Sequence, residues 1–543
     1  VAALPIVAAT VEGLREGVAP TGDRAIILTR SYDVLSGHTP LVGQFSASSL
    51  LYAHVVHSPG PLSYWLLALP VRIGAAAPPT IAIAVLNALC VVVAVVLARR
   101  RGGPLLAIFA AIALALMCRS LSPETLHDVW NPSVALLPFT LLIFVSWSLA
   151  CGERRLLPLA VALASFTAQS ELVFVAPSLG ALTLGMVGLL STPAGRMGAW
   201  RWWLAGLGTF LACWSFPIAE ELLGHPGNLT LVAEAAFSHG PTIGMSAGWH
   251  ALVRGIGLTP WWLTSSGDPF GRLADVKPTP SALATTSCAA LLVALVGLLA
   301  VSAYRRRGDL AWASAIGLVL CVSLVGMTAS TPSRPSLERS LGYMLWIGSP
   351  IGMWTWLMLA WSATTSIGVP LPRRVEPLAG RGRSALAIVG LLAALACGAT
   401  VAAGQGRDQD SPEYGPVKAI QAAVRRALPP GRPTVLVTGS HGFTAFDFRA
   451  AVIYDLRRRG LRVYAPAASE RLGVYYEPSP GRTRLTVWVF DGPRPPRRGR
   501  VIARIGYGSP REIVTVTISR ARWPPTAARA RRLARRSGAR LPS

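Results

Sequence analysis

Gly22–Trp65 reads GDRAIILTRSYDVLSGHTPLVGQFSASSLLYAHVVHSPGPLSYW, and the rest of the chain is understood from it. It is the longest polar interruption near the start of a chain whose first four hundred or so residues are otherwise mostly apolar. It carries Asp23 and Asp33, then His38, His54 and His57, and ends in the turn Ser58-Pro59-Gly60-Pro61 before an aromatic segment. A connector between two membrane helices needs none of these groups. The stretch therefore reads as the reactive face of a membrane protein.

Composition agrees. Of 543 residues, 52% are hydrophobic and 14% charged, and the mean hydropathy is +0.47. Several apolar runs approach or reach the roughly 20 residues that cross a bilayer as a helix. On a soluble protein, a net charge of +26 would point to nucleic acid. Here much of the arginine lies in short clusters beside apolar runs, the pattern that orients a membrane protein, so membrane lipid and not nucleic acid is the expected partner. All seven cysteines lie in or beside apolar runs, which argues against a disulfide framework and a thiolate zinc site.

Outward from the opening stretch, residues 1–17 read as the end of a first span, and Leu62–Val71 as an interfacial helix with Tyr64 and Trp65 at headgroup level. Thr80–Leu97 runs inward to Arg99, Arg100 and Arg101, and Leu105–Met117 returns. Val134–Ala150 reaches the cytoplasmic Glu153-Arg154-Arg155, and Leu156–Leu190 is two spans with a tight external turn at Gln169–Glu171. Trp202–Ile218, Ser281–Val301, Leu310–Met327, Leu341–Ser362 and Ala385–Ala403 complete the set, with Arg305–Arg307 and Arg373, Arg374, Arg381 and Arg383 inside. The expectation is an all-α polytopic membrane protein of about eleven spans, N-terminus cytoplasmic and C-terminus external. In that assignment all eight histidines, including His127, His225, His239, His250 and His441, fall outside.

Beyond Gly404 the character changes. The expected organisation is a membrane domain over 1–403, a linker over 404–416, a small external α/β domain over 417–519 and an arginine-rich tail over 520–543. Val417–Leu428 and Phe446–Arg459 read as helices; Thr434–Thr438, Leu461–Tyr464, Leu485–Phe490, Val501–Ile505 and Ile513–Ile518 read as strands. The tail suits anionic headgroups or wall polymer. Gly439-Ser-His-Gly442 lacks the phosphate-loop pattern and reads as a turn.

The external loops supply carboxylates, imidazoles and a few arginines, a set suited to an acidic, polar substrate at the membrane surface. Asp23 is either an interfacial aspartate paired to Arg24 or a general base for a hydroxyl nucleophile. Asp33 reads as a solvated helix-face residue. His57 is a turn histidine in the headgroup zone or a ligand for a phosphate or sugar hydroxyl. Arg334 and Arg339 meet lipid phosphates or a substrate phosphate, which guanidinium forks match. Glu124, His127 and Asp128 would share one side of a helical turn, as a solvated loop or as holders of a divalent ion or sugar hydroxyl. Gln169 and Glu171 read as a solvated turn.

The order of these motifs resembles the polytopic glycosyltransferases of the GT-C superfamily, in particular family 39: the protein mannosyltransferases, aminoarabinose transferases and Rgt-like bacterial membrane proteins. Asp23-Arg24-Ala25 stands where that group has an acidic motif after its first helix. Ser36-Gly37-His38 follows, and His57-Ser58-Pro59-Gly60-Pro61-Leu62-Ser63-Tyr64-Trp65 opens the interfacial helix. By that resemblance Asp23 is the catalytic base and Asp128, ahead of Trp130-Asn131-Pro132, is the supporting acid. His57 and Arg24 lie toward the donor phosphate, and Arg339 to Tyr343 is the late motif that holds it. Arg24 replaces the family's second acid, and His57 its usual lysine. The implied reaction takes a sugar from a polyprenyl-phosphate donor and passes it, with inversion, to a hydroxyl of a polysaccharide, lipid or protein acceptor. No cofactor or metal is implied beyond a divalent cation that the residues do not support. The competing classes are a transporter or flippase of a lipid-linked or envelope intermediate, and a packing partner in wall assembly.

Overall fold

The structure is a computed structural model, and it describes residues 1–50, 54–193, 199–237, 240–264, 270–366, 376–440, 442–477, 485–495, 499–507 and 509–520. His239, Asp268, Arg373, Arg374, His441 and the tail over 521–543 lie outside the described residues, as do the side chains of Arg339, Arg381 and Arg383.

In chain order the helices are α1 (Leu4–Glu16), α2 (Gly22–Asp33), α3 (Leu62–Leu67), α4 (Pro70–Ile73), α5 (Ala77–Arg119), α6 (Asn131–Ala150), α7 (Leu157–Ser170), α8 (Val175–Ser191), α9 (Trp200–Leu223), α10 (Asn228–Ala236), α11 (Gly244–Ile256), α12 (Arg272–Val276), α13 (Ala282–Tyr304), α14 (Gly308–Ala329), α15 (Pro335–Met344), α16 (Gly348–Ser366) and α17 (Glu376–Ala403). There follow α18 (Ser411–Ala427), β1 (Val435–Gly439), α19 (Phe443–Arg458), β2 (Val463–Tyr464), α20 (Ser469–Leu472), β3 (Leu485–Asp491), β4 (Arg500–Tyr507) and β5 (Ser509–Arg520). The chain forms two compact units. One is Val1–Glu16, Leu41–Leu66 and Ala77–Gln409; the other is Gly17–Pro40, Leu67–Ala76 and Asp410–Ser543.

The first unit is helical. Among the described residues, six helical segments are long and apolar enough to cross a membrane: Ala77–Arg119, Asn131–Ala150, Leu172–Ser191, Trp200–Leu223, Ala282–Tyr304 and Gly308–Ala329. This makes the chain a multi-pass membrane protein, although the expected eleven spans are not all of that length. Helix α1 has 13 residues and α7 has 14. Two of the expected spans lie in the single 43-residue α5, which breaks at Gly102 and Gly103 just after the arginine cluster. Gly103 takes a φ of 71°, open to glycine at little cost, and Pro104 removes the next amide from the helix.

Helix α6 is the centre of this unit, and every one of its residues is buried. Its sequence explains this: it is apolar on all sides, with no polar stripe to turn outward. It packs against α5, α7 and α8. Gly185 and Gly188 of α8 allow the backbones to close, since a methyl at 188 would lie 2.5 Å from Ala150 Cβ. Trp147 sits between the rings of Trp354 and Trp361 at 5.6 and 5.5 Å and donates to Asp309 O at 2.7 Å. By contrast α9 and α13 leave Leu204, Leu207, Leu211, Val293 and Val296 exposed, as lipid-facing helices do.

The second unit is a small α/β assembly whose sheet order is β2-β1-β3-β5-β4. The first three strands are parallel, with α19 as the β1-to-β2 crossover, and β4 and β5 form an antiparallel pair beside β3. The strands fall on the expected segments. Regular structure resumes inside the expected linker, because Asp410 and Pro412 start α18. Composition gave no hint that two early segments, 17–40 and 67–76, would complete this unit. Helix α2 packs on α19. Arg72 donates to Ala68 O, Tyr32 O and Val34 O, while Tyr454 Oη donates to Ala75 O at 2.7 Å.

Candidate functional site

The predicted site residues divide between the two units. Asp23 and Arg24 belong to the second; His57, Asp128, Arg339 and Tyr343 belong to the first.

Asp23 occupies the first turn of α2, where a carboxylate favours the helix dipole. Asp23 Oδ1 accepts from Arg471 at 2.6 Å, and the side chain stays 36% exposed. Arg471 also lies over the Phe446 ring at 4.8 Å. Arg24 pairs with Asp410 at 2.7 Å. The neighbouring carboxyls matter more than the sequence could show. Asp447 faces Gly22, whose φ is 46° and whose missing side chain leaves room for Asp447 Oδ1. Burial pushes Asp447 up to about 8, with the charges of Glu413, Asp23 and Asp410 adding to the shift and Arg24 opposing it. Burial also raises Glu413, which accepts from the Tyr507 hydroxyl.

Asp33 is not a solvated helix-face residue. It is fully buried, with Arg457 at 2.9 Å on Oδ1 and the Tyr476 hydroxyl at 2.7 Å on Oδ2. Arg457 also lies over the rings of Tyr475 and Tyr32, at 5.1 and 5.8 Å. Asp33 thus clamps α2 onto its own unit, as expected of a buried charge whose partners are all supplied.

In the first unit, residues 43–46 pair with 56–58: Gly43 N donates to Ser58 O at 2.9 Å and Ser46 N to Val56 O at 2.8 Å. His57 is held by its backbone, bonded both ways to the Asn228 amide at 2.9 and 3.2 Å, with its ring edge-on to Phe45 at 6.4 Å. The following turn meets the end of α7. Pro217 in α9 leaves the Cys213 carbonyl without its helical donor, and Gln169 Nε2 supplies one at 2.8 Å. That commits Gln169 to a position where its Oε1 would overlap any side chain at 60, so the turn needs glycine there.

Gln169 and Glu171 are therefore buried structural residues rather than a solvated turn, and Glu171 accepts from Asn131 at 3.0 Å. The Glu124–Asp128 loop is buried too, and its 3-10 turn stops at Leu126, so Glu124, His127 and Asp128 share no helical face. His127 bonds Asp408 at 3.2 Å, and Glu124 accepts from Gln409 N at 3.4 Å. Asp128 Oδ1 accepts from Trp130 N at 3.1 Å, fixing the entry to α6. Trp130 then meets the Tyr343 ring edge-on at 4.7 Å, so the loop of Asp128 and the helix of Tyr343 are brought together. Arg339 lies on that helix, α15. Among the described residues no group of three or more His, Cys, Asp or Glu side chains is arranged to hold a metal.

Arg272 was not anticipated. It is buried, donates to Leu345 O, Ser349 Oγ and Ser120 O at 3.0, 2.7 and 3.3 Å, and lies over Trp261 at 5.2 Å. Desolvation lowers its pKa to about 9. Its partners come from three distant segments, which no local spacing reveals. The same is true of Asp447 and Arg471.

Together these features define a multi-pass membrane protein with a small α/β unit that carries a partly exposed, arginine-held carboxylate. No family model and no curated protein matches the chain. By overall structure it is similar to ArnT from Cupriavidus metallidurans in the apo state, with 13% identity over 94% of this chain and 97% of that one and a TM-score of 0.49. It is also similar to the Archaeoglobus fulgidus oligosaccharyltransferase in complex with Zn and sulfate, with 12% identity over 89% of this chain and 67% of that one and a TM-score of 0.35.

Proposed function

We propose that the chain is a membrane glycosyltransferase that moves a sugar from a polyprenyl-phosphate donor to a hydroxyl of a cell-envelope acceptor, with inversion, at the external membrane face. The observation that carries this reading is Asp23. It follows the first apolar helix, keeps a third of its surface open, and has its orientation set by Arg471. Such a carboxylate can take the proton of an acceptor hydroxyl as its oxygen attacks the anomeric carbon. The bond from that carbon to the phosphate breaks, and polyprenyl phosphate leaves. This leaving group needs charge stabilisation more than protonation, a task for Arg339 and His57. Asp128 acts by holding Trp130, and through it the Tyr343 helix. Arg24 holds Asp410.

Charge placement speaks against transport. In the six span-length segments the charged residues are Arg99–Arg101 at the α5 break, and Arg119, Arg201, Glu220, Glu221 and Asp309 at helix ends. A transporter places such groups near mid-membrane on broken helices.

Asp23→Asn keeps the shape and removes the basicity. Turnover with a polyprenyl-phosphate sugar should fall at least about a thousandfold while donor binding changes less than about twofold, the signature of an interaction made only in the transition state. Retained turnover would exclude Asp23 as the base.

A further inference from the structure

Within the first unit, a cavity of about 410 Å³ lies among α11, α12 and α15, the last being the helix that also carries Arg339 and Tyr343. Its wall is closed on one side by a bridge between 242 and 332, reinforced by Ser333 N donating to Pro241 O at 3.0 Å. Its size falls within the range of sites for small ligands, roughly 300–1,000 Å³.

The polar groups that line it are His250, Lys277, Glu338, Ser246 and Ser333, and their commitments decide what can bind. His250 Nδ1 lies 2.9 Å from Val276 O; a carbonyl only accepts, so Nδ1 carries a hydrogen, and the tautomer with its one hydrogen there offers Nε2 as an acceptor. The Ser333 hydroxyl donates to Pro241 O at 3.1 Å and keeps its lone pairs. Glu338 pairs with Lys277 at 3.2 Å, and a carboxylate has further acceptor sites beyond one such bond. The cavity is therefore rich in acceptors, with the Lys277 ammonium and the Ser246 hydroxyl as donors. Val276 and Leu341 supply an apolar floor.

Among the described lining residues, a phosphate would face the Glu338 carboxylate, and the one cation, Lys277, is already paired with it. Among the described lining residues a nucleobase would find no Phe, Tyr or Trp to stack on, and the His250 ring is tied at Nδ1 to Val276 O. A lipid chain would cover these five polar groups and offer none of them a hydrogen bond. A ring bearing several hydroxyls satisfies all of them, because each hydroxyl donates as well as accepts, and its C–H face suits the floor. We propose that this cavity binds a single uncharged sugar ring. Its use as the holder of the acceptor glycan rests on the glycosyltransferase reading; the sugar site itself does not.

The test is saturation-transfer NMR on the full chain in detergent, with D-mannose, D-galactose and L-arabinose as probes and glycerol 3-phosphate as the anionic control. At least one sugar should receive saturation, and glycerol 3-phosphate should neither bind nor displace it. Ala247→Leu fills the cavity and should abolish the signal; Glu338→Gln should weaken binding roughly tenfold. His250→Phe serves as a third variant should Ala247→Leu lower the melting temperature. No sugar binding by the wild type, displacement by glycerol 3-phosphate, or binding that survives all three cavity variants would overturn the proposal. Sugar binding that is lost in the cavity variants, in a chain with no transferase activity, would leave the site standing and remove the glycosyltransferase reading.

Discussion

Asp447 holds its carboxyl against the backbone of Gly22, at the start of the helix that carries Asp23. Unfolded, this group titrates near 3.8; folded, at about 8. Folding therefore takes up a proton between those values. The group's contribution to stability is full below the lower value and is lost as pH rises through the upper one. Asp447→Asn removes that dependence. The variant should melt close to the wild type at pH 5 and a few degrees above it at pH 8.5. Parallel melting curves from pH 5 to pH 9 would show that the carboxyl is already ionised. Asp23 was legible as a candidate because an acid just after an apolar helix stands out. Its partner Arg471 was not, since the two are separated by 448 positions and only the fold brings them together.

At the level of elements, the length of apolar runs located the membrane helices, and repeating apolar positions located the helices and strands of the second unit. Neither signal could distinguish a loop from a kink. The Arg99–Arg101 cluster marks a break inside α5, where Gly102, Gly103 and Pro104 interrupt the helix without a loop between. Nor could either say why the Ser58–Pro61 turn carries Gly60, since the reason lies in α9: a proline there diverts Gln169 into the space that a side chain at 60 would fill. Gly60→Ala should cost about 1–3 kcal/mol by overpacking, read as a lower melting temperature in detergent. Gly60→Ala with Gln169→Ala should recover part of that loss by removing the overlap. A double variant no more stable than Gly60→Ala would place the strain elsewhere.

At the level of the whole molecule, the arginine clusters predict that reporter fusions at Gly102 and Gly404 lie on opposite sides of the membrane. Fusions reporting the same side would overturn the proposed external site. The second unit makes a separate prediction, because residues 410–520 are only part of it. Expressed alone, they lack Asp33, so Arg457 and the Tyr476 hydroxyl lose their partner. That fragment should unfold without a sharp transition, and a peptide spanning 17–40 should restore one. A fragment that melts cooperatively without the peptide would show that the early segments merely decorate the unit. The division also has a consequence for synthesis. Helix α2 leaves the ribosome several hundred residues before α19 and Arg471. At translation rates of about 5–20 residues per second, α2 waits tens of seconds for its partners. A prematurely terminated product would carry Asp23 without Arg471, so the candidate base is assembled only in a chain that has been translated past residue 471.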